Sequence, residues 1–260
     1  MVMVMARLLR AEWYRYWRSS HLWIWYVVFL IGTVLVSISE FNSNELGEYI
    51  SFSERIAHLT EISGTSIIMI LPVITSVSVA MLYHNKTGYY QIMSGHKISD
   101  ILLSKIMIDG VFLSLIWVLT LLIYYTYYGM VNGAEGLDHI PIRIMFVVIT
   151  ALRTGITGVL MAEIIEHPAA GVLAFVRFLF IDGLFGIIVN VLVYDQVWNF
   201  RLHNLSALRY VIVATTSPGE LAEAGVELSS FVIPCILTFL LEVGFWYIIA
   251  YIKMKRKGYR

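Results

Sequence analysis

The chain has 260 residues, of which 59% are hydrophobic and only 14% are Asp, Glu, Lys or Arg, and its 18 basic and 18 acidic residues cancel. So few charges cannot cover a soluble domain, which carries roughly 25%. Disordered chains are polar and poor in aromatics, and a neutral chain has no electrostatic footprint for nucleic acid. The composition is that of an all-α polytopic membrane protein.

Residues 1–21 precede the first long apolar run. Leu9, Trp13, Tyr16 and Trp17 recur there at helical spacing, and Arg7, Arg10, Arg15 and Arg18 can reach headgroups. This pattern predicts an interfacial helix, or more simply a juxtamembrane anchor. The apolar run that follows is too long for a signal peptide and has no small-residue cleavage site, so it reads as an uncleaved span. A bilayer core of about 30 Å needs roughly 20 helical residues. Six segments qualify: 22–39, 62–83, 110–128, 142–162, 170–194 and 228–252. The first three carry no charge. The fourth holds Arg143 and Arg153, the fifth Arg177 and Asp182, and the sixth Glu242. Pro72 and Pro234 predict kinks. Ala151, Thr154, Gly155 and Gly158 predict close helix packing.

Charge placement sets the orientation. The N-terminal stretch has four Arg, the loop after span two has Lys86, Lys97 and Lys105, and the tail has Lys253, Lys255, Arg256, Lys257 and Arg260. With six spans these regions share one side and hold twelve of the eighteen basic residues. The opposite loop 40–61 carries five Glu against Arg55. The positive-inside rule places both termini in the cytoplasm. Loop 163–169, with Glu163 and Glu166, departs from the pattern. Loop 195–227 is long for a hairpin. Its Ser217-Pro218-Gly219-Glu220 is a capping-box pattern for a short helix leading into span six. Tyr210–Thr216 before it is apolar but too short to span, which predicts a re-entrant or interfacial turn.

Several chemistries lack their signatures. There is no phosphate loop G-x-x-x-x-G-K-[ST], no H-E-x-x-H and no zinc spacing of Cys and His. The chain therefore reads as a non-enzyme with no catalytic residue, metal or cofactor of its own. His84, His96 and His167 read as solvated loop residues. The single cysteine, Cys235, excludes an intramolecular disulfide.

The charges within the spans stand out, because each costs about 2.5–3.5 kcal/mol on insertion scales. They must face protein or water and pair where they can. Spans four and five form a hairpin about His167-Pro168, so Arg153 and Asp182, nearly equidistant from the turn, predict a pair near the midplane. Arg177 lies within reach of Glu163. Glu242 has no evident partner, which makes it the better candidate for lining a cavity. These pairs either lock the hairpin or border a substrate path.

The loop 84–105 reads as a short amphipathic helix, a Gly turn, and a second helix with Ser99 at its N-cap. Tyr89, Tyr90, Ile92 and Met93 make an aromatic knob suited to a partner groove. In the order Lys86, Gly88, Ser94-Gly95, Lys97, Ser99 and Lys105, this loop resembles the one between helices two and three of ABC-2-type permeases. The N-terminal helix is similar to that family's connecting helix, and Ser217-Pro218 sits where many members have Ser-Pro before the last helix. The family usually has an acidic residue near the start of the loop, where this chain has His84-Asn85.

The resemblance implies a bacterial plasma-membrane permease that dimerises, as a homo- or heterodimer, and docks a separate ABC ATP-binding subunit. ATP and magnesium would reside on that partner. Lys86, Gly88, Tyr89, Tyr90, Gln91, Ile92 and Met93 would form the coupling helix. Similar small permeases export amphipathic or antimicrobial peptides or confer immunity to them. Two other classes stay open: an ion-coupled secondary transporter using Arg153, Asp182 and Glu242, for which no inverted repeat is visible, and a non-transporting sensor or immunity subunit.

Overall fold

The structure, a computed structural model, describes residues 2–18, 20, 23–24, 26–28, 31, 67–85, 96–132, 140–192, 205–215 and 227–257. The regular elements among these residues are all helical. Helix α1 is Val2–Arg18 and α2 is Leu71–His84. Helix α3 is a continuous run over 98–132. Ile98–Lys105 and Leu113–Asn132 are α-helical, and Ile106–Phe112 between them is π-helical. Helix α4 is Ile140–Ile165. Helix α5 covers 169–192, with a π-helical segment Arg177–Ile181 in its middle. Helix α6 is Ala207–Thr215, and α7 is Val232–Arg256, entered through the 3-10 turn Leu228–Phe231.

Four stretches are long and apolar enough to cross a membrane: Ile67–His84, Ile98–Thr120, Ile140–Ile165 and Leu228–Arg256. They match the second, third, fourth and sixth predicted spans and mark a helical membrane protein. The fifth predicted segment, 170–194, is helical over 169–192. The first, 22–39, lies mostly outside the described residues.

The third crossing starts twelve residues before the predicted 110, which brings Lys105 and Asp109 inside it. Ser99 is not the cap of this helix; Lys97 stands at the N-cap position and Ser99 lies in the first turn. Pro234 sits in the first turn of its helix, where a missing N–H leaves no bond unmade. Pro72 stands in the first turn of α2, and the crossing Ile67–His84 is interrupted at Ile70 just before it.

Helix α4 is the centre of the bundle and packs on α2, α3, α5, α6 and α7. Its small residues permit this. A β-carbon on Gly158 would stand 2.5 Å from the Pro72 carbonyl oxygen of α2, and one on Gly155 would meet Ser114 and the Gly110 carbonyl of α3. One apolar core gathers around Trp117, Phe146, Tyr210 and Phe231 at the N-terminal half of α4. A second gathers around Tyr83, Leu102, Leu160 and Met254 at its C-terminal half. Gly158→Val is expected to lower stability by about 1–3 kcal/mol through overpacking. Gly244→Val, where a β-carbon meets nothing within 4 Å, is the control. Thermal unfolding of both variants in detergent checks the contrast.

Candidate functional site

The buried polar groups fall into three clusters on this frame. The first is at mid-height on α4. Arg153, with its side chain 4% exposed, donates from Nε to Glu242 Oε2 of α7 at 2.5 Å and from Nη2 to the Leu205 carbonyl at 2.6 Å. Arg177 pairs with Asp182 on its own helix and with Glu242 Oε1 at 3.1 Å. Two guanidiniums and two carboxylates thus neutralise one another, which is what low-dielectric surroundings demand of buried charge.

This cluster replaces two of the expected pairings and adds a partner where none was foreseen. Arg153 meets Glu242 rather than Asp182, and Arg177 meets Asp182 and Glu242 rather than Glu163. Equal distance from the hairpin turn fixes depth but not the direction a side chain points. The π-helical turn 177–181 adds a residue to its turn, so Arg177 and Asp182, five apart, come together as i and i+4 would in an α-helix.

Helix α6 is seated on the same cluster. Asp182 Oδ2 accepts the Ala207 backbone N–H at 2.8 Å and the Ser206 hydroxyl at 3.3 Å, at the helix N-terminus. Arg143 Nη1 donates to the Ala214 carbonyl at 2.9 Å, at its C-terminus. An anion at the start and a cation at the end both complement the helix dipole. Nine residues make a helix of about 14 Å, half a bilayer. Arg153 and Arg143 are ten residues apart on α4, about 15 Å, so α6 lies along the N-terminal half of α4. The described part of the apolar stretch, Tyr210–Thr215, is therefore most of a half-length helix, with Tyr210 buried against Phe146.

The second cluster joins α2, α3 and α4 near the loop 84–97. Lys105 and Glu163, each with a 0% exposed side chain, pair at 2.6 Å. Tyr83 donates its hydroxyl to Glu163 at 2.5 Å and accepts from Lys105 at 3.2 Å. Lys105 also lies 4.7 Å from the centre of the Tyr83 ring, within cation–π range. Lys105 is thus a buried partner for Glu163 rather than a loop charge.

The third cluster ties α1 to α3. Arg15 donates to Asp109 at 2.5 Å and to Glu12 at 2.7 Å, and Ser78 of α2 donates to Asp109 at 2.7 Å. Burial alone would lower the Arg15 pKa, but the Asp109 and Glu12 carboxylates overcome it and hold the pKa above its ordinary value. Both π-helical segments carry cluster residues, Asp109 in one and Arg177 in the other.

Sequence reading missed Asp109, Glu12, Ser78, Tyr83 and the burial of Lys105. Their one available signal was Lys105 and Asp109 standing four apart in an apolar run. The coupling-helix residues Lys86, Gly88, Tyr89, Tyr90, Gln91, Ile92 and Met93, and the motif Ser217-Pro218-Gly219-Glu220, lie outside the described residues. His84 and His167 are exposed and His96 is half-buried, and no group of three His, Cys, Asp or Glu able to hold a metal occurs among the described residues.

A surface clasp closes the turn after α4. Glu166 has a left-handed backbone (φ 55°), and its carboxylate meets Lys253 of α7 at 2.9 Å and Lys257, just past the end of α7, at 2.5 Å. Burial alone would raise its pKa, but the hydrogen bonds and charges of Lys257 and Lys253 outweigh it and lower the carboxyl below the ordinary 4.5. The folded carboxyl then holds a proton less tightly than the unfolded one. Its contribution is present above the unfolded pKa and is lost as pH falls through the folded one. The stability gap between wild type and Glu166→Gln is expected to shrink on acidification below 4.5, in thermal unfolding followed against pH. Glu166→Gly should unfold later than Glu166→Ala by about 1 kcal/mol, because glycine relieves the left-handed strain.

No protein-family model matches the chain, and no curated protein matches it.

Proposed function

We propose that the chain is the permease subunit of an ATP-driven exporter of the ABC-2 type. It has six spans, both termini and an interfacial α1 on the cytoplasmic side, and it works as a dimer with two separate ATP-binding subunits in a bacterial plasma membrane. The observation that carries the proposal is the latch at Tyr83, Lys105 and Glu163. It binds the two helices flanking the loop 84–97 to each other and to the central α4. A partner that moves this loop therefore moves α2, α3 and the central α4 as one body. The Arg15–Asp109 bridge adds α1 to that body.

In this reading Tyr89 and Tyr90 enter the partner's groove, and ATP binding there swings the loop and rocks the permease dimer between inward and outward states. The substrate is an amphipathic or hydrophobic molecule, a peptide foremost, leaving the cytoplasm or inner leaflet. The four-charge cluster at Arg153, Arg177, Asp182 and Glu242 favours a second reading, an ion-coupled transporter. Copurification separates the two. The proposal expects an ATPase that is retained with the wild type and stimulated by it, and lost on Tyr89→Ala with Tyr90→Ala. Retention and stimulation surviving both changes would overturn the coupling role. Transport that needs a proton gradient but no ATP would establish the second reading.

A further inference from the structure

A groove runs between α1 and the first half of α3. Leu9, Arg10 and Trp13 form one wall, and Met107, Val111 and Leu115 stand at i, i+4 and i+8 on the other. Its volume is about 470 Å³, and its surface is apolar throughout, so Arg10 contributes its methylene stem. Trp13 is 38% exposed, and Met107 and Leu115 are each 44% exposed. The α3 wall lies within Ile98–Thr120, a stretch long and apolar enough to cross a membrane, and an apolar groove on such a stretch suits lipid better than water.

A flexible hydrocarbon chain lying in this open groove gains dispersion contacts with two helices at once, where a smooth face offers one. The rim supplies the complement for a headgroup. Arg7 and Arg10, three apart on α1, are both exposed, and neither makes an ion pair with a described residue. Arg15, by contrast, is consumed by Glu12 and Asp109. Two cations with no ion pair among the described residues, Arg10 in the groove wall and Arg7 one turn before it, on a helix fixed to the span by a buried bridge, describe a site rather than a smooth lipid-facing surface.

We infer that this groove binds one anionic phospholipid, an acyl chain lying between Trp13 and Val111 and the phosphate on Arg7 and Arg10. The inference rests on the membrane crossing alone and is independent of the transport reading.

The test uses the full chain in phosphatidylcholine nanodiscs doped with phosphatidylglycerol carrying a photoreactive group in its acyl chain. Illumination, digestion and mass spectrometry then map the labelled residues. The reference is the exposed face of α7 at Ile233, Leu237, Leu241 and Ile248, where a neighbouring lipid meets a single helix. Labelling of residues 9–13 and 107–115 is expected to exceed the reference severalfold, and Val111→Trp should bring it down to the reference level. Arg10→Gln, at an exposed position that folding does not depend on, should cut the preference for the anionic probe over a phosphatidylcholine probe by about fivefold, the effect of one basic residue near a charged membrane surface. Equal labelling of groove and reference in the wild type would reduce the groove to ordinary boundary lipid. Labelling below the reference would mean that protein covers it. An unchanged lipid preference in Arg10→Gln would remove the headgroup contact. Each of these three results overturns the inference.

Discussion

Glu242→Gln is expected to destabilise the protein by about 3–5 kcal/mol, the penalty for leaving a buried charge without its partner. Glu242 is the hinge of the mid-height cluster, because its two oxygens receive different guanidiniums, Arg153 on α4 and Arg177 on α5. Arg177 keeps Asp182 when Glu242 is neutralised. Arg153 keeps only the Leu205 carbonyl, an uncharged acceptor, so the deficit falls on a side chain with 4% exposure. Adding Arg153→Gln to Glu242→Gln should recover most of the loss, since two neutral amides replace an unmatched charge. Adding Arg153→Gln to Asp182→Asn should not, because that combination removes the negative charge at the N-terminus of α6 and leaves Arg177 and Glu242 to pair alone. Thermal unfolding of the four variants in detergent, followed by loss of the monodisperse size-exclusion peak, reads the differences. Recovery in the Asp182 combination and none in the Glu242 combination would restore the hairpin pairing and refute the geometry.

The sequence made the helices easier to place than the contacts between them. Segments 62–83, 142–162 and 228–252 overlap the apolar stretches Ile67–His84, Ile140–Ile165 and Leu228–Arg256, with residues 62–66 outside the described ones, because an apolar run of bilayer length must satisfy its backbone internally. The start of α3 was misplaced because a lysine and an aspartate ended the apolar window. Those charges are tolerated in the helix because Glu163, Tyr83, Arg15 and Ser78 arrive from other elements to neutralise them. That compensation is tertiary and leaves no trace in a window of neighbours. Arg153, Arg177, Asp182 and Glu242 were found from their cost alone, since any charge in hydrocarbon must have a partner. Who pairs with whom depends on azimuth, and azimuth turned on the π-helical residues 177–181, which no propensity announces. The stretch Tyr210–Thr216 reads as too short to span, and the helix 207–215 covers all but its last residue among the described ones. Its seat is not legible in the stretch itself, because Asp182 and Arg143, which hold its two ends, come from 25 and 71 residues away in the chain.

The latch at Lys105 offers the second large effect, and it separates stability from coupling. Lys105→Met alone strands Glu163, and Glu163→Leu alone strands Lys105, each with a fully buried side chain, so each single change is expected to cost about 3–5 kcal/mol. The double change exchanges an ion pair for two apolar side chains of similar volume, and buried pairs replaced in this way are often neutral or stabilising. The double variant should therefore unfold near the wild-type temperature. Its mechanics should differ. An ion pair with the Tyr83 hydroxyl bonded to both members has a fixed geometry, whereas Met against Leu slides at little cost because dispersion is not directional. If the proposed coupling holds and α2 and α3 must move with α4 as one body, the double variant will keep its fold and the proposed ATPase partner yet lose most of the proposed transport. Transport per ATP in proteoliposomes, measured beside the unfolding temperature, decides the point. Wild-type transport in a stable double variant would show that the latch only holds the bundle together, and the coupling path would then have to run through the Arg15–Asp109 bridge.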